Sequence, residues 1–208
     1  MRTDITFLVD RSGSMATIAQ DMRGGFREFV RKQREIPGAC RVSVYTFDDT
    51  LEKHSEQDLH TMSDELPLSP RGWTALYDSL GKVITETGER LAGMIPALRP
   101  EKVIIVVITD GADNRSREFS TSTLKSMIEH QRSKYSWEFV FLGANLDAHL
   151  TAGYLGILDA HTVTYDATRR GTRALYSVLN NSIGATRTGR SIGNLQASYD
   201  DQSKNILP

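Results

Sequence analysis

The chain has 208 residues, of which 39% are hydrophobic and 25% are charged, and its formal net charge is −1. This length is enough for one sizeable α/β domain, and the charge balance excludes a global field that attracts nucleic acid or an anionic membrane. No apolar run approaches the roughly 18 residues of a membrane span, and the first residues lack a signal-peptide pattern. The single cysteine, Cys40, fits a reducing compartment. We therefore expect a cytoplasmic protein.

Strand and helix patterns alternate through the first half of the chain. The helix that follows the first strand is predicted from apolar residues spaced at three and four. Pro96 and Pro100 are expected to end the second helix. The predicted elements are a strand at 4–9, a helix carrying Ile18 to Val30, a strand at 41–47, a short polar edge strand at 51–55, a loop at 56–72 and a helix with an apolar face from Leu76 to Ile95.

The second half continues the same alternation around one unusually apolar strand. Every residue from Val103 to Ile108 is apolar and β-branched, which is typical of a strand buried on both faces of a parallel sheet. The predicted elements are a strand at 102–109, a helix over 122–134, a strand at 137–142 that ends in Gly143-Ala144-Asn145, a short helix over 147–154, a strand at 161–165 and a helix over 172–183.

This order of elements predicts an α/β fold: a doubly wound, Rossmann-like, mostly parallel sheet with helices on both faces and a short antiparallel edge strand. Residues 1–188 are expected to form one domain. The helical period fades after Gly184, so residues 189–208 are expected to be a loosely ordered tail.

Three short segments place oxygen ligands at the expected strand ends and helix starts. Asp10, Ser12 and Ser14 alternate in the turn that follows the first strand, and Asp110 precedes a glycine after the strand at 102–109. Thr74 lies in the loop that enters the second helix. Carboxylates and hydroxyls suit a hard divalent cation. If the two strands are neighbours at the switch point of the sheet, both aspartates face one crevice.

These three segments resemble the metal-ion-dependent adhesion site of the von Willebrand factor A domain family. The likeness extends over roughly residues 3 to 183 and is strongest to compact bacterial and phage members. It implies a six-stranded sheet in the order 3-2-1-4-5-6, which makes strands one and four neighbours. It also implies a metal site with Ser12, Ser14 and Thr74 as hydroxyl ligands and with Asp10 and Asp110 binding directly or through water.

The expected function is that of a metal-dependent adaptor. Three neutral hydroxyls leave a bound Mg²⁺ or Mn²⁺ electrophilic, so an open position attracts an Asp or Glu from a protein partner, for example in an ATPase-associated system. A hydrolytic site would need a base beside the metal-bound water, and these loops carry no His or Glu there. We therefore expect no enzymatic activity.

Two alternatives remain for the metal site. One is a metal-dependent phosphatase or hydrolase on a Rossmann-like fold. Haloacid-dehalogenase-like phosphatases also end strand one in Asp, but they need a second Asp two positions later, where this chain has Ser12. The other is a scaffold whose metal is purely structural.

Other residues near the predicted site have less specific roles. Asp48, Asp49, Asp113 and Asn114 are interpreted as turn residues, and Asp113 or Asn114 could orient a metal ligand. Trp73 either forms an exposed contact beside Arg71 or folds onto the core.

The carboxyl-terminal part is locally basic. We interpret this cluster as a solvated face, with docking of an acidic partner as the alternative. Its members are Arg169, Arg170, Arg173, Arg187 and Arg190.

Overall fold

The computed structural model describes residues 1–144 and 147–205. Within these ranges no helix combines the length and the apolar character needed to cross a membrane. The strands are β1 (Thr3–Asp10), β2 (Cys40–Phe47), β3 (Leu51–Asp58), β4 (Lys102–Thr109), β5 (Glu138–Ala144) and β6 (Thr162–Tyr165). The helices are α1 (Ala19–Arg34), α2 (Leu76–Ala92), α3 (Thr121–Tyr135), α4 (Ala148–Tyr154), α5 (Arg169–Arg187) and α6 (Leu195–Asn205).

All six strands form one sheet in the order β3-β2-β1-β4-β5-β6. Every neighbouring pair is parallel except β2 and β3, which are antiparallel at the edge. The predicted doubly wound α/β fold is confirmed, and so is the strand order that the family resemblance implied. The central pair, β1 and β4, aligns Val9 with Ile108 and so brings the ends of both strands together.

The sheet separates two apolar cores. Ile104, Val106 and Ile108 of β4 pack with α1, α5 and α6, whereas the alternate residues of β4 pack with α2, α3 and α4. Side chains of a strand point alternately to opposite faces, so a strand covered on both sides is apolar at every position. This packing explains the uninterrupted apolar run of β4.

Several element ends differ from the prediction. β3 continues to Asp58, past the predicted end at 55, because it pairs with β2 along its whole length. α2 ends at Ala92, so the predicted helical residue Ile95 lies beyond it with 66% of its surface exposed. α5 is longer than predicted at both ends. β5 continues to Ala144, past the predicted end at 142, and Asn145 lies outside the described residues.

The segment expected to be loosely ordered contains α6. Leu195 and Tyr199 are buried against the α5 side of the sheet. The side chain of Gln196 accepts the backbone N–H of Thr164 (2.7 Å) and donates to its carbonyl (3.4 Å), as a neighbouring strand would. The exposed edge of β6 is therefore covered by a side-chain amide, which blocks edge-to-edge pairing.

Two adjacent glycines of α1 provide a test of the packing between α1 and α5. A Cβ at Gly25 would lie 2.1 Å from the buried ring of Tyr176, whereas a Cβ at Gly24 would meet nothing within 4 Å. Alanine favours a helix interior by about 0.5–1 kcal/mol over glycine. We expect Gly24→Ala to stabilise by about that amount and Gly25→Ala to destabilise by about 1–3 kcal/mol through overpacking. Urea denaturation measures both, and shifts of the same sign would contradict this packing.

Candidate metal site

The candidate site lies at the carboxyl ends of β1 and β4, where the loop before α2 joins them. Asp10 is the last residue of β1, and Asp110 directly follows β4. Because β1 and β4 are paired in parallel, both carboxylates reach the same edge of the sheet. This is the crevice that the sequence predicted on the condition that the two strands are neighbours.

Asp10 is completely buried and holds the first loop to both strands. One carboxylate oxygen accepts the backbone N–H of Ser12 (2.6 Å), and the other accepts the hydroxyl of Thr109 (2.6 Å). The first bond shapes the turn after β1, and the second links this turn to β4. The role of Thr109 was missed from the sequence, where it appears only as the last residue of a strand.

The two serines extend this network to the second aspartate. The hydroxyls of Ser12 and Ser14 lie 3.1 Å apart, and Ser14 donates to Asp110 Oδ1 at 2.7 Å. Ser14 and Asp110 are 96 residues apart in sequence. Four of the five predicted ligand residues are therefore joined by hydrogen bonds or by direct hydroxyl contact.

Thr74, the fifth predicted residue, lies beside the turn after Asp110. Its hydroxyl oxygen is 3.6 Å from where a Cβ of Gly111 would be, and the residue is buried. Gly72 adopts φ +67°, a left-handed conformation that suits glycine. Its carbonyl accepts the N–H of Gly13 at 3.3 Å, which joins the loop before α2 to the first loop.

Burial makes the two carboxylates costly to charge together. It raises the pKa of Asp10 to about 6, and the nearby charge of Asp110 acts in the same direction. Burial also raises the pKa of Asp110. A divalent cation would compensate this charge, and an oxygen-only set of carboxylates and hydroxyls fits a hard cation. In residues 1–144 and 147–205 no three His, Cys, Asp or Glu side chains gather as a metal site, so a metal here would depend on the hydroxyls.

Asp48, directly after β2, contacts both the loop that follows β1 and the loop before α2. Its carboxylate binds Arg11 Nε at 3.0 Å and Arg71 Nε at 2.8 Å. Arg11 and Asp48 are each only 5% exposed in their side chains. Although burial disfavours the charge of Asp48, hydrogen bonds from Arg71, Thr50 and Arg11 lower its pKa to about 2. The sequence prediction described Asp48 as a turn residue and missed this ion pair.

The lowered pKa of Asp48 predicts a pH-dependent loss of stability. Its charged form stabilises the fold at every pH above its ordinary pKa of 3.8, and this contribution disappears as the pH falls through about 2. We expect Asp48→Asn to cost about 2 kcal/mol at neutral pH and progressively less between pH 4 and pH 2. Urea denaturation of both proteins across this range checks it. A stability difference that is independent of pH would contradict it.

Trp73 is exposed to 62%, so the structure selects the exposed alternative. Its backbone N–H binds Asp49 Oδ2 at 3.1 Å, and Asp49 Oδ1 also pairs with Arg115 at 3.1 Å. The indole is therefore presented from a backbone held in place next to Thr74.

Comparison with known proteins gives a clear family assignment and remote structural likenesses. The model of the von Willebrand factor type A domain matches residues 4–151, which is more than half of the chain. No curated protein matches the chain by sequence.

The likenesses to solved structures show the fold alone, because their identities are low. One is proximal thread matrix protein 1 from the mussel byssus, in a structure whose metal-ion-dependent adhesion site (MIDAS) motif is occupied by zinc. It has a TM-score of 0.63 at 18% identity and covers 88% of this chain. The ArnB paralog VWA2 from Sulfolobus acidocaldarius has 0.59 at 16% identity over 86%, and the PilB minor pilin from Streptococcus sanguinis has 0.59 at 12% over 89%. The chain spans 46%, 44% and 62% of these proteins, respectively.

The family model and the fold agree on the same assignment. The matched residues include β1 from its second residue on, all of β4, the turn after β1 and all five residues of the candidate site. The chain belongs to the von Willebrand factor type A domain family.

Proposed function

We propose that the chain is a metal-dependent protein-binding module. Mg²⁺, or alternatively Mn²⁺, would be held by the carboxylates of Asp10 and Asp110 and by the hydroxyls of Ser12, Ser14 and Thr74. An Asp or Glu of a protein partner would complete the coordination. The observation that carries this proposal is the 2.7 Å hydrogen bond from Ser14 to Asp110, which joins the loops after β1 and β4 across 96 residues.

The donor set supports Mg²⁺ better than a softer cation. All five candidate ligands offer oxygen, which Mg²⁺ prefers, whereas zinc sites in proteins use mainly nitrogen and sulfur. When bound, Mg²⁺ would supply a positive charge to the site. The two carboxylates would offset that charge, and the three hydroxyls, being neutral, would not lower it further. The zinc-occupied MIDAS motif of the mussel protein supports a divalent ion at this place in the fold.

The same residues favour binding over catalysis. Asp10 is held by Thr109 and the Ser12 backbone, and Asp110 accepts the hydroxyl of Ser14, so both carboxylates are positioned as ligands of a bound ion. At the position where a phosphatase needs its acid, Ser12 offers only a hydroxyl. We therefore propose a module without enzymatic activity.

A cytoplasmic location and a partner in an ATPase-associated system complete the proposal. The location is supported by Cys40, the single cysteine, which is buried. A chain with one cysteine forms no internal disulfide, which fits a reducing compartment.

Metal titration of a nearly isosteric variant tests the proposed ligand set. Thr74→Val removes one hydroxyl from the site. Thr85→Val removes one from the exposed side of α2, where it donates to the Gly81 carbonyl at 2.9 Å. By calorimetry we expect Mg²⁺ to bind the wild type and Thr85→Val equally, and Thr74→Val at least about tenfold more weakly. Equal binding by all three would remove Thr74 from the site.

Partner capture separates an adaptor from a scaffold with a structural metal. The immobilised wild type and Thr74→Val are each incubated with an extract of the source cell, with Mg²⁺ or with EDTA. We expect a partner that the wild type retains in Mg²⁺ and loses both in EDTA and in the variant. Retention in EDTA by folded protein would favour the scaffold.

A further inference from the structure

Asn114 holds the backbone of Thr74 on both sides of the residue. Its side-chain oxygen accepts the N–H of Thr74 at 2.9 Å, and its own N–H donates to the Thr74 carbonyl at 3.0 Å. The two residues are 40 positions apart. This paired contact fixes the peptide groups on either side of Thr74, and with them the point from which its side chain starts.

The remainder of the loop after β4 is joined to the start of α2 in the same manner. Asp113 accepts the N–H of Tyr77 at 3.2 Å, and Ser116 Oγ accepts the N–H of Asp78 at 2.9 Å. The carboxylate of Asp78 accepts three backbone N–H groups at 117–119, at 2.8 to 2.9 Å. Asp110 starts this loop, so the contacts set the position of Thr74 relative to Asp110.

We propose that Asn114 is a positioning residue that makes the site selective for small divalent cations. The inference rests on the proposed metal site. Mg²⁺ needs nearly octahedral ligands at about 2.0–2.1 Å, whereas Ca²⁺ accepts flexible geometry at about 2.3–2.6 Å. A Thr74 side chain whose backbone is fixed next to the turn after Asp110 favours the smaller ion. Loss of the Asn114 side chain leaves only the backbone bond to the Thr74 carbonyl, which frees the N–H side of Thr74, lets the site expand and reduces that preference.

Asn114 differs from its neighbours in what it contacts. Asp113 and Ser116 bind backbone groups of Tyr77 and Asp78, which are three and four residues beyond Thr74. Asn114 contacts the candidate ligand residue itself. Loss of either kind of contact loosens the loop, but only loss of the Asn114 contact is expected to change the cation preference.

Calorimetric titration with Mg²⁺ and with Ca²⁺ tests the inference on the full chain. We expect Asn114→Ala to weaken Mg²⁺ binding by about 10–100-fold and Ca²⁺ binding by clearly less. Asn114→Asp keeps the accepting oxygen and adds a negative charge that strengthens the binding of both cations, so the ratio of Mg²⁺ to Ca²⁺ affinity should stay that of the wild type. Ser116→Ala is the matched control, because it removes a contact of the same loop, and it should also retain that selectivity. Circular dichroism verifies that each variant is folded.

The possible outcomes separate this inference from the proposed function. If the wild type binds Mg²⁺ and Asn114→Ala keeps the same ratio of Mg²⁺ to Ca²⁺ affinity, the positioning role is wrong and the metal site stands. Equal changes of selectivity in Asn114→Ala and Ser116→Ala would also overturn it, since they indicate general loosening. If the wild type binds no Mg²⁺, the proposed function is wrong and the inference fails with it.

Discussion

Addition of Mg²⁺ is expected to raise the melting temperature of the wild type and to leave that of Asp110→Asn unchanged. A ligand that binds only the folded state at 100 times its dissociation constant stabilises by about 2.7 kcal/mol. For a domain of this size each kcal/mol corresponds to about 2–4 °C, so the expected shift is roughly 5–10 °C. Asp110→Asn removes one of the two carboxylates and with it most of the attraction for the ion.

Asp110 is a better position for this test than Asp10. Asp10 is fully buried and accepts bonds from Ser12 and Thr109, so its removal would also leave those donors unpaired. An asparagine at 110 still offers an oxygen to Ser14. It also removes the repulsion between the two carboxylates. In EDTA we therefore expect Asp110→Asn to be at least as stable as the wild type.

Differential scanning fluorimetry in Mg²⁺ and in EDTA measures the melting temperatures of both proteins. The wild type should melt higher than the variant in Mg²⁺ but no higher than it in EDTA. Asp201→Asn provides the control, because it removes an exposed carboxylate on α6, far along the chain from the three loops. The control should show the shift of the wild type. An equal Mg²⁺ shift in Asp110→Asn would exclude the proposed site.

Much of the fold could be predicted because its signals are local. Apolar spacing on α1 and the uninterrupted run of β4 report directly which faces are buried. The adjacency of β1 and β4 could not be obtained from the periodicity of either strand, and it came only from the family resemblance. Once that adjacency is known, the order of the chain itself brings Asp10 and Asp110 together.

What the sequence did not reveal is mostly polar contact between distant segments. α6 buries only Leu195 and Tyr199 among its residues, so it has no apolar stripe to predict a packed helix. Its position depends partly on Gln196, which binds the backbone of Thr164. The ion pair of Asp48 with Arg11 is of the same kind, since the partners come from the ends of different strands. Such contacts have no sequence period.

Arg187 is the clearest error of the sequence interpretation, which assigned it to a solvated basic face. The structure buries it at 4% exposure, and burial lowers the pKa of its guanidinium. Its guanidinium donates to the side-chain oxygen of Gln33 and to three carbonyls at and beyond the end of α1. These acceptors are Gln33 Oε1 (3.1 Å), Gln33 O (2.5 Å), Ile36 O (3.1 Å) and Gly38 O (3.2 Å).

Arg187→Met is therefore expected to be among the most destabilising single changes in this chain. Carbonyls at a helix end have no partner within the helix, and a cation there also interacts favourably with the helix dipole. Methionine fills similar space and donates no hydrogen bond, so buried acceptors of α1 and its exit lose their partner at a cost of about 3–4 kcal/mol.

Arg190→Met is the matched control for Arg187→Met, because Arg190 lies three residues later and is exposed. It should change the stability by less than about 0.5 kcal/mol. Urea denaturation midpoints compare the two variants directly. If both lost the same small amount, Arg187 would belong to the solvated face after all, and the connection between α1 and α5 would depend on apolar packing alone.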